Sequence, residues 1–102
     1  KQMVKKVNIG GEERAVKFGF AALMQFTDAT GYTLAQLDAL GDSLTLSQAI
    51  ELIRAGLKQG ARVEGEKFNA TSEEVADWLD ESPGALEEVL AIFTESFTPA
   101  KK

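Results

Sequence analysis

Residues 45–60, TLSQAIELIRAGLKQG, constrain the fold more than any other stretch, because Leu46, Ile50, Ile53 and Leu57 recur at the three-and-four spacing of an amphipathic helix. Such a face has to be covered by the rest of the chain. Thr45 with Gln48 three residues on is a capping-box start, since the threonine oxygen accepts an orphan backbone N–H while the glutamine reaches back. Gly60 after Lys58 reads as the matching stop. Ala49 and Ala55 keep the flanks thin enough for another helix to approach, which makes this the central core helix.

What can cover it is bounded by size. A chain of 102 residues has room for one domain and a single core. Apolar residues at 44% and charged residues at 26% are ordinary globular values, so neither disorder nor a membrane span is expected. No apolar run approaches the ~20 residues that a span requires. The opening KQMVKK is basic but runs into polar and charged residues, unlike a signal peptide.

The chain contains neither cysteine nor histidine. That removes disulfides, thiolate nucleophiles, thiolate and imidazole metal sites and the commonest general base together. Catalysis would have to rest on carboxylates, Lys, Ser, Thr or Tyr32, and no catalytic set, metal site or cofactor is expected. A net charge of −5 argues against nucleic acid, whose binding rests on phosphate neutralisation. The imbalance is also local: no basic residue stands between Lys67 and Lys101, while residues 1–17 are net basic.

Taken in order, residues 3–18 read as a β-hairpin turning at Gly10-Gly11, a pair able to occupy the positive-φ positions of a two-residue turn. Val7, Ile9, Val16 and Phe18 would share a face. A lone hairpin is marginal in water, so it lies on helices or pairs with another chain, which keeps a homo-oligomer open. Residues 20–30 read as a helix with Phe20, Leu23, Met24 and Thr27 on one face and Phe26 beside it, capped by Gly31. A short helix over 33–40 carries Leu34, Leu37 and Leu40, and the central helix follows over about 45–59. Phe68 is the expected anchor of the connector after it, in which Gly65 permits a turn. Thr71 and Glu74 form a second capping box, opening a helix over 72–81 with Val75, Trp78 and Leu79 on one face. Ser82 as N-cap and Pro83 in the first turn start a last helix over 83–97, striped by Leu86, Val89, Leu90, Phe93 and Phe97.

Two features invite a chemical reading. Asp42-Ser43-Leu44 is the attachment motif of acyl carrier proteins, with Ser43 as the phosphopantetheine acceptor. Polar Ser47 and Gln48 then stand where a carrier helix continues with apolar residues, and the hairpin is foreign to carriers, so a polar loop before a capped helix is the preferred reading. Glu73, Asp77, Asp80 and Glu81 share one side of a helix but lack the Asp-x-Asp-x-Asp-Gly loop of a calcium site, which makes them a solvated acidic face. The aromatic ending is a candidate partner surface: Trp78, Phe93 and Phe97 for burial, Glu87 and Glu88 for steering.

Thr30-Gly31-Tyr32-Thr33-Leu34 after a helix, then Leu52-Ile53-Arg54-Ala55-Gly56-Leu57, then Thr71-x-x-Glu74-Val75-x-Asp77-Trp78-Leu79, resembles the order of elements in small tail assembly chaperones of long-tailed bacteriophages and gene transfer agents. The resemblance runs from about residue 5 to residue 97 and rests on helix faces and caps, and Arg54 stands where a large apolar residue is more usual. It implies a non-enzymatic protein of the bacterial host cytoplasm that binds the tape measure protein and recruits tail tube subunits. It further implies a short and a frameshift-extended form, the present chain matching the short one. A structural tail or head-completion protein is the competing phage reading. The expected architecture is α+β, mostly α, with an N-terminal hairpin packed on about five short helices.

Overall fold

In a computed structural model, which describes residues 4–32 and 45–97 apart from the side chains of 96 and 97, the chain is α+β and mostly helical. An antiparallel hairpin is followed by four helices among the described residues. The expected helix over 33–40 and the loop carrying Ser43 lie outside them.

The hairpin pairs β1 (Val4–Ile9) with β2 (Glu12–Lys17), Ile9 opposite Glu12 across the turn. Gly10 and Gly11 hold φ of 66° and 85°, as a tight two-residue turn matched to strand twist requires. Val7, Ile9, Val16 and Phe18 are all buried, so the hairpin is held by the helices beneath it.

Helix α1 (Phe20–Thr30) ends on Gly31 at φ 81°, whose N–H donates to the Thr27 carbonyl. Its buried residues are Ala22, Leu23 and Phe26, while Phe20 is 87% exposed and Met24 64% exposed. The expected face was therefore rotated by about one residue. The physical reason is that small Ala22 lets α1 lie close to the next helix, and the run FAALMQF is apolar nearly all round, so periodicity does not select a side.

Helix α2 (Leu46–Val63) is the central element, touching β2, α1 and both later helices. Its capping box is formed as expected, with the Thr45 hydroxyl accepting from the Gln48 N–H at 3.2 Å and the Gln48 carboxamide oxygen accepting from the Thr45 N–H at 2.9 Å. Leu52, Ile53 and Leu57 are buried, Ile50 is half-buried and Leu46, at the helix start, is 66% exposed and outside the core. Gly60 does not stop the helix. It lies inside, and the chain leaves the helix at Gly65 (φ 77°), where the Gly65 N–H donates to Arg62 and the Glu66 N–H to Ala61, the double closure of a Schellman motif. Gly60 and Gly56 serve packing: a Cβ on Gly60 would fall on the Ala15 carbonyl, and one on Gly56 would lie 2.5 Å from the Phe18 ring.

The connector is tied back to α2 by Arg54, whose Nε donates to the Ala70 carbonyl at 2.9 Å. Arg54 is half-buried there and satisfies a backbone acceptor, with Glu51 3.7 Å from its guanidinium. The Ser72 hydroxyl donates to the Glu51 carboxylate at the same junction. Helix α3 (Ser72–Glu81) starts with its capping box formed at Thr71 and Glu74 and buries Val75 and Leu79. Helix α4 (Gly84–Phe97) buries Ala85, Val89 and Phe93, with Leu86 and Leu90 partly covered. Ser82 gives its carbonyl to the Ala85 N–H, while its hydroxyl accepts from the Gly10 N–H at 3.2 Å, so the expected capping hydroxyl instead pins the hairpin turn.

Candidate partner-binding surfaces

The residues expected to hold a partner are spread over α3, which carries Trp78, and α4, which carries the others. Phe93 is buried and packs edge-to-face on Phe18, with ring centroids 5.4 Å apart at 79°. It belongs to the core, because the last helix lies under the hairpin and Phe93 is the residue that meets Phe18. Glu87 and Glu88 are exposed on α4, as are Glu73, Asp77, Asp80 and Glu81 on α3. The Phe97 side chain lies outside the described residues.

Trp78 is half-buried in a cluster that sequence reasoning did not assemble. Arg14 of β2 lays its guanidinium 3.8 Å from the centroid of the indole, and its Nε donates to the Ile9 carbonyl at 2.9 Å. Phe68 packs edge-to-face with Trp78, ring centroids 6.4 Å apart at 69°. A Cβ on Gly10 would lie 2.7 Å from the indole, so the hairpin turn also closes on this ring. Trp78 thus joins α3, the connector and the hairpin, and its cation partner comes from 64 residues away in the chain, which no local pattern displays. An open groove of about 300 Å³ runs past it, walled by Phe68 and Trp78 and edged by Arg14, Lys67 and Glu74.

Among the described residues, the other exposed large apolar side chains are Phe20 and Met24, one turn apart on α1, and Leu46 at the start of α2. Asp28 is the one charge on that helix, in contrast to the acidic outer faces of α3 and α4. Phe20 and Met24 therefore present an uncharged apolar strip on an otherwise acidic molecule. The first turn of α2 is locked by Tyr32, whose hydroxyl donates to Gln48 at 2.7 Å and whose ring stacks edge-to-face on Phe26. That hydroxyl serves the link between α1 and α2.

Among the described residues, no group of three or more acidic, His or Cys side chains could hold a metal ion, and no helix is long and apolar enough to cross a membrane. Lys6 is held protonated above the ordinary lysine value by its hydrogen bond to Glu64 at 3.1 Å and by the attraction of that carboxylate. Comparison with protein-family models, with curated proteins and with solved structures finds no match.

Proposed function

We propose that the chain is a non-enzymatic assembly chaperone of the phage-tail kind, which holds helical segments of a tape measure protein for the arrival of tail tube subunits. The order of elements over residues 5–97 supports this reading, and one observation carries it further. Phe20 and Met24, at 87% and 64% exposure on one helix face, are large apolar groups left in water, whereas the other aromatic side chains among the described residues are buried or paired with another ring. An amphipathic helix of the partner can cover such a strip through residues at three-and-four spacing. The acidic faces of α3 and α4 would then steer basic partner segments and keep loaded complexes apart by mutual repulsion.

Coexpression with the tape measure protein from the same genome tests it. A soluble complex is expected with the parent chain and is lost in the double variant Phe20→Ser, Met24→Ser, which retains the parent's helical circular dichroism. No complex with the parent chain refutes the chaperone assignment. A complex that survives the double variant moves the interface away from α1.

A further inference from the structure

We propose that the outer edge of β1 is a strand-addition site that takes an extended segment of a partner protein carrying acidic side chains. The inference rests on the hairpin's register and does not depend on the tape measure reading. In a two-residue hairpin the closing pair, here Ile9 and Glu12, exchanges both backbone bonds, and facing pairs alternate thereafter. Ile9, Val7 and Lys5 therefore direct their N–H and C=O groups at β2, while Asn8, Lys6 and Val4 direct theirs outward. On β2 the outward residues are Glu13, Ala15 and Lys17.

The two edges are treated differently. Helix α2 lies along the β2 edge so closely that a side chain at Gly60 would strike the outward Ala15 carbonyl, which closes that edge to another strand. At the β1 edge the described residues supply no such partner. Lys6 and Asn8 are exposed, and among the described residues no backbone bond of Val4, Lys6 or Asn8 reaches another element. Val7 and Ile9, on the apolar face of β1, are buried, while on its other face Lys6 reaches Glu64 just past α2.

Charge selects the occupant. The strand VKKVNI carries Lys5 and Lys6 and no carboxylate. The two lysines point to opposite faces of the hairpin, and the Lys6 charge is shared with Glu64 at 3.1 Å. A second copy adding to this edge would set lysine near lysine, which is destabilising across a strand pair, whereas a strand with alternate acidic residues meets a lysine on either face. Backbone bonding supplies the affinity and the lysines the choice of partner.

The probe is a synthetic peptide of about ten residues alternating threonine with glutamate, a length that spans an ordinary strand, together with its lysine-for-glutamate twin. Binding to the full chain is followed by amide hydrogen exchange in nuclear magnetic resonance. Expected are slowed exchange at the Lys6 and Asn8 N–H groups and binding of the twin weaker by about tenfold or more. Asn8→Pro removes an outward donor that the hairpin itself does not use and should abolish binding, while Asn8→Thr, which keeps the donor, should bind as the parent does. Circular dichroism and the parent exchange rates of Val7 and Arg14 check that the hairpin of the proline variant is intact. Unchanged exchange at Lys6 and Asn8 with millimolar peptide, equal binding of the twin, or binding that survives in a folded Asn8→Pro variant overturns the proposal.

Discussion

Replacing Gly60 with alanine should destabilise the protein by about 2 kcal/mol, although the same change in an ordinary helix interior is favourable by about 1 kcal/mol. The added Cβ would fall on the Ala15 carbonyl and lie 2.8 Å from the Val16 nitrogen. These are backbone atoms of a paired strand, so no rotamer change relieves the overlap. Either α2 or the hairpin has to withdraw by roughly 1 Å, a gap at which facing atoms lose about a quarter to a half of their dispersion attraction. The side chains that suffer are the buried ones along this seam, Phe18, Val16 and Leu57. Overpacking costs about 1–3 kcal/mol in general. A clash with backbone belongs at the upper end, about 3 kcal/mol, and the propensity gain brings the net to about 2 kcal/mol. Urea unfolding followed by far-ultraviolet circular dichroism measures it. With a slope of about 1–1.5 kcal/mol per molar, the midpoint should fall by roughly 1–2 M. A variant more stable than the parent would show that Gly60 does not touch β2, and the argument for a covered hairpin edge would fail with it.

Ile53→Ala should cost about 2–4 kcal/mol, since Ile53 is fully buried in the middle of α2 and its removal leaves a cavity; a loss below about 1 kcal/mol in the same titration would place that face at the surface. Arg14→Ala should cost about 1–2 kcal/mol through the lost bond to the Ile9 carbonyl and the uncovered indole, with Trp78 emission moving to the red. Arg14→Lys should recover less than half of that, because an ammonium cannot reproduce the flat stack and the Nε bond together; full recovery would mean that charge alone acts at this site.

The parts of the fold that are legible in the sequence are those fixed by a few adjacent residues. Gly10-Gly11 sets the turn and with it the register, because a two-residue loop has few other ways to close. Thr45 with Gln48 and Thr71 with Glu74 set two helix starts, as each pair satisfies its own backbone donors without help from elsewhere. The misreadings have one physical source in common, contacts between elements distant in sequence. The exposed face of α1 depends on which side α2 approaches, and an apolar run such as FAALMQF does not record that. Phe93 and Phe20 are the same residue type on similar helices, yet one meets Phe18 and the other meets water.

The candidate surfaces follow the same rule, with one signal that could have been used. Trp78 was legible as an aromatic at a helix face, but its cover by Arg14 requires the hairpin to fold over α3. Gly56 and Gly60, in contrast, stand four apart inside a pattern that is helical on both sides, and each costs the helix about 1 kcal/mol relative to alanine. Two such losses on one face mark a close approach by another backbone or a flat ring more readily than a helix end, because Gly65 further on already supplies the stop. The amphipathic stripe then fixes which face of α2 the glycines belong to, and the nearest available partner without bulky side chains is Ala15, next to Val16 on the second strand. Gly60 against Ala15 pairs α2 with β2 and makes β1 the outer strand. Among the described residues, the strand with two lysines and outward amides is therefore the one whose edge takes no backbone bond from another element.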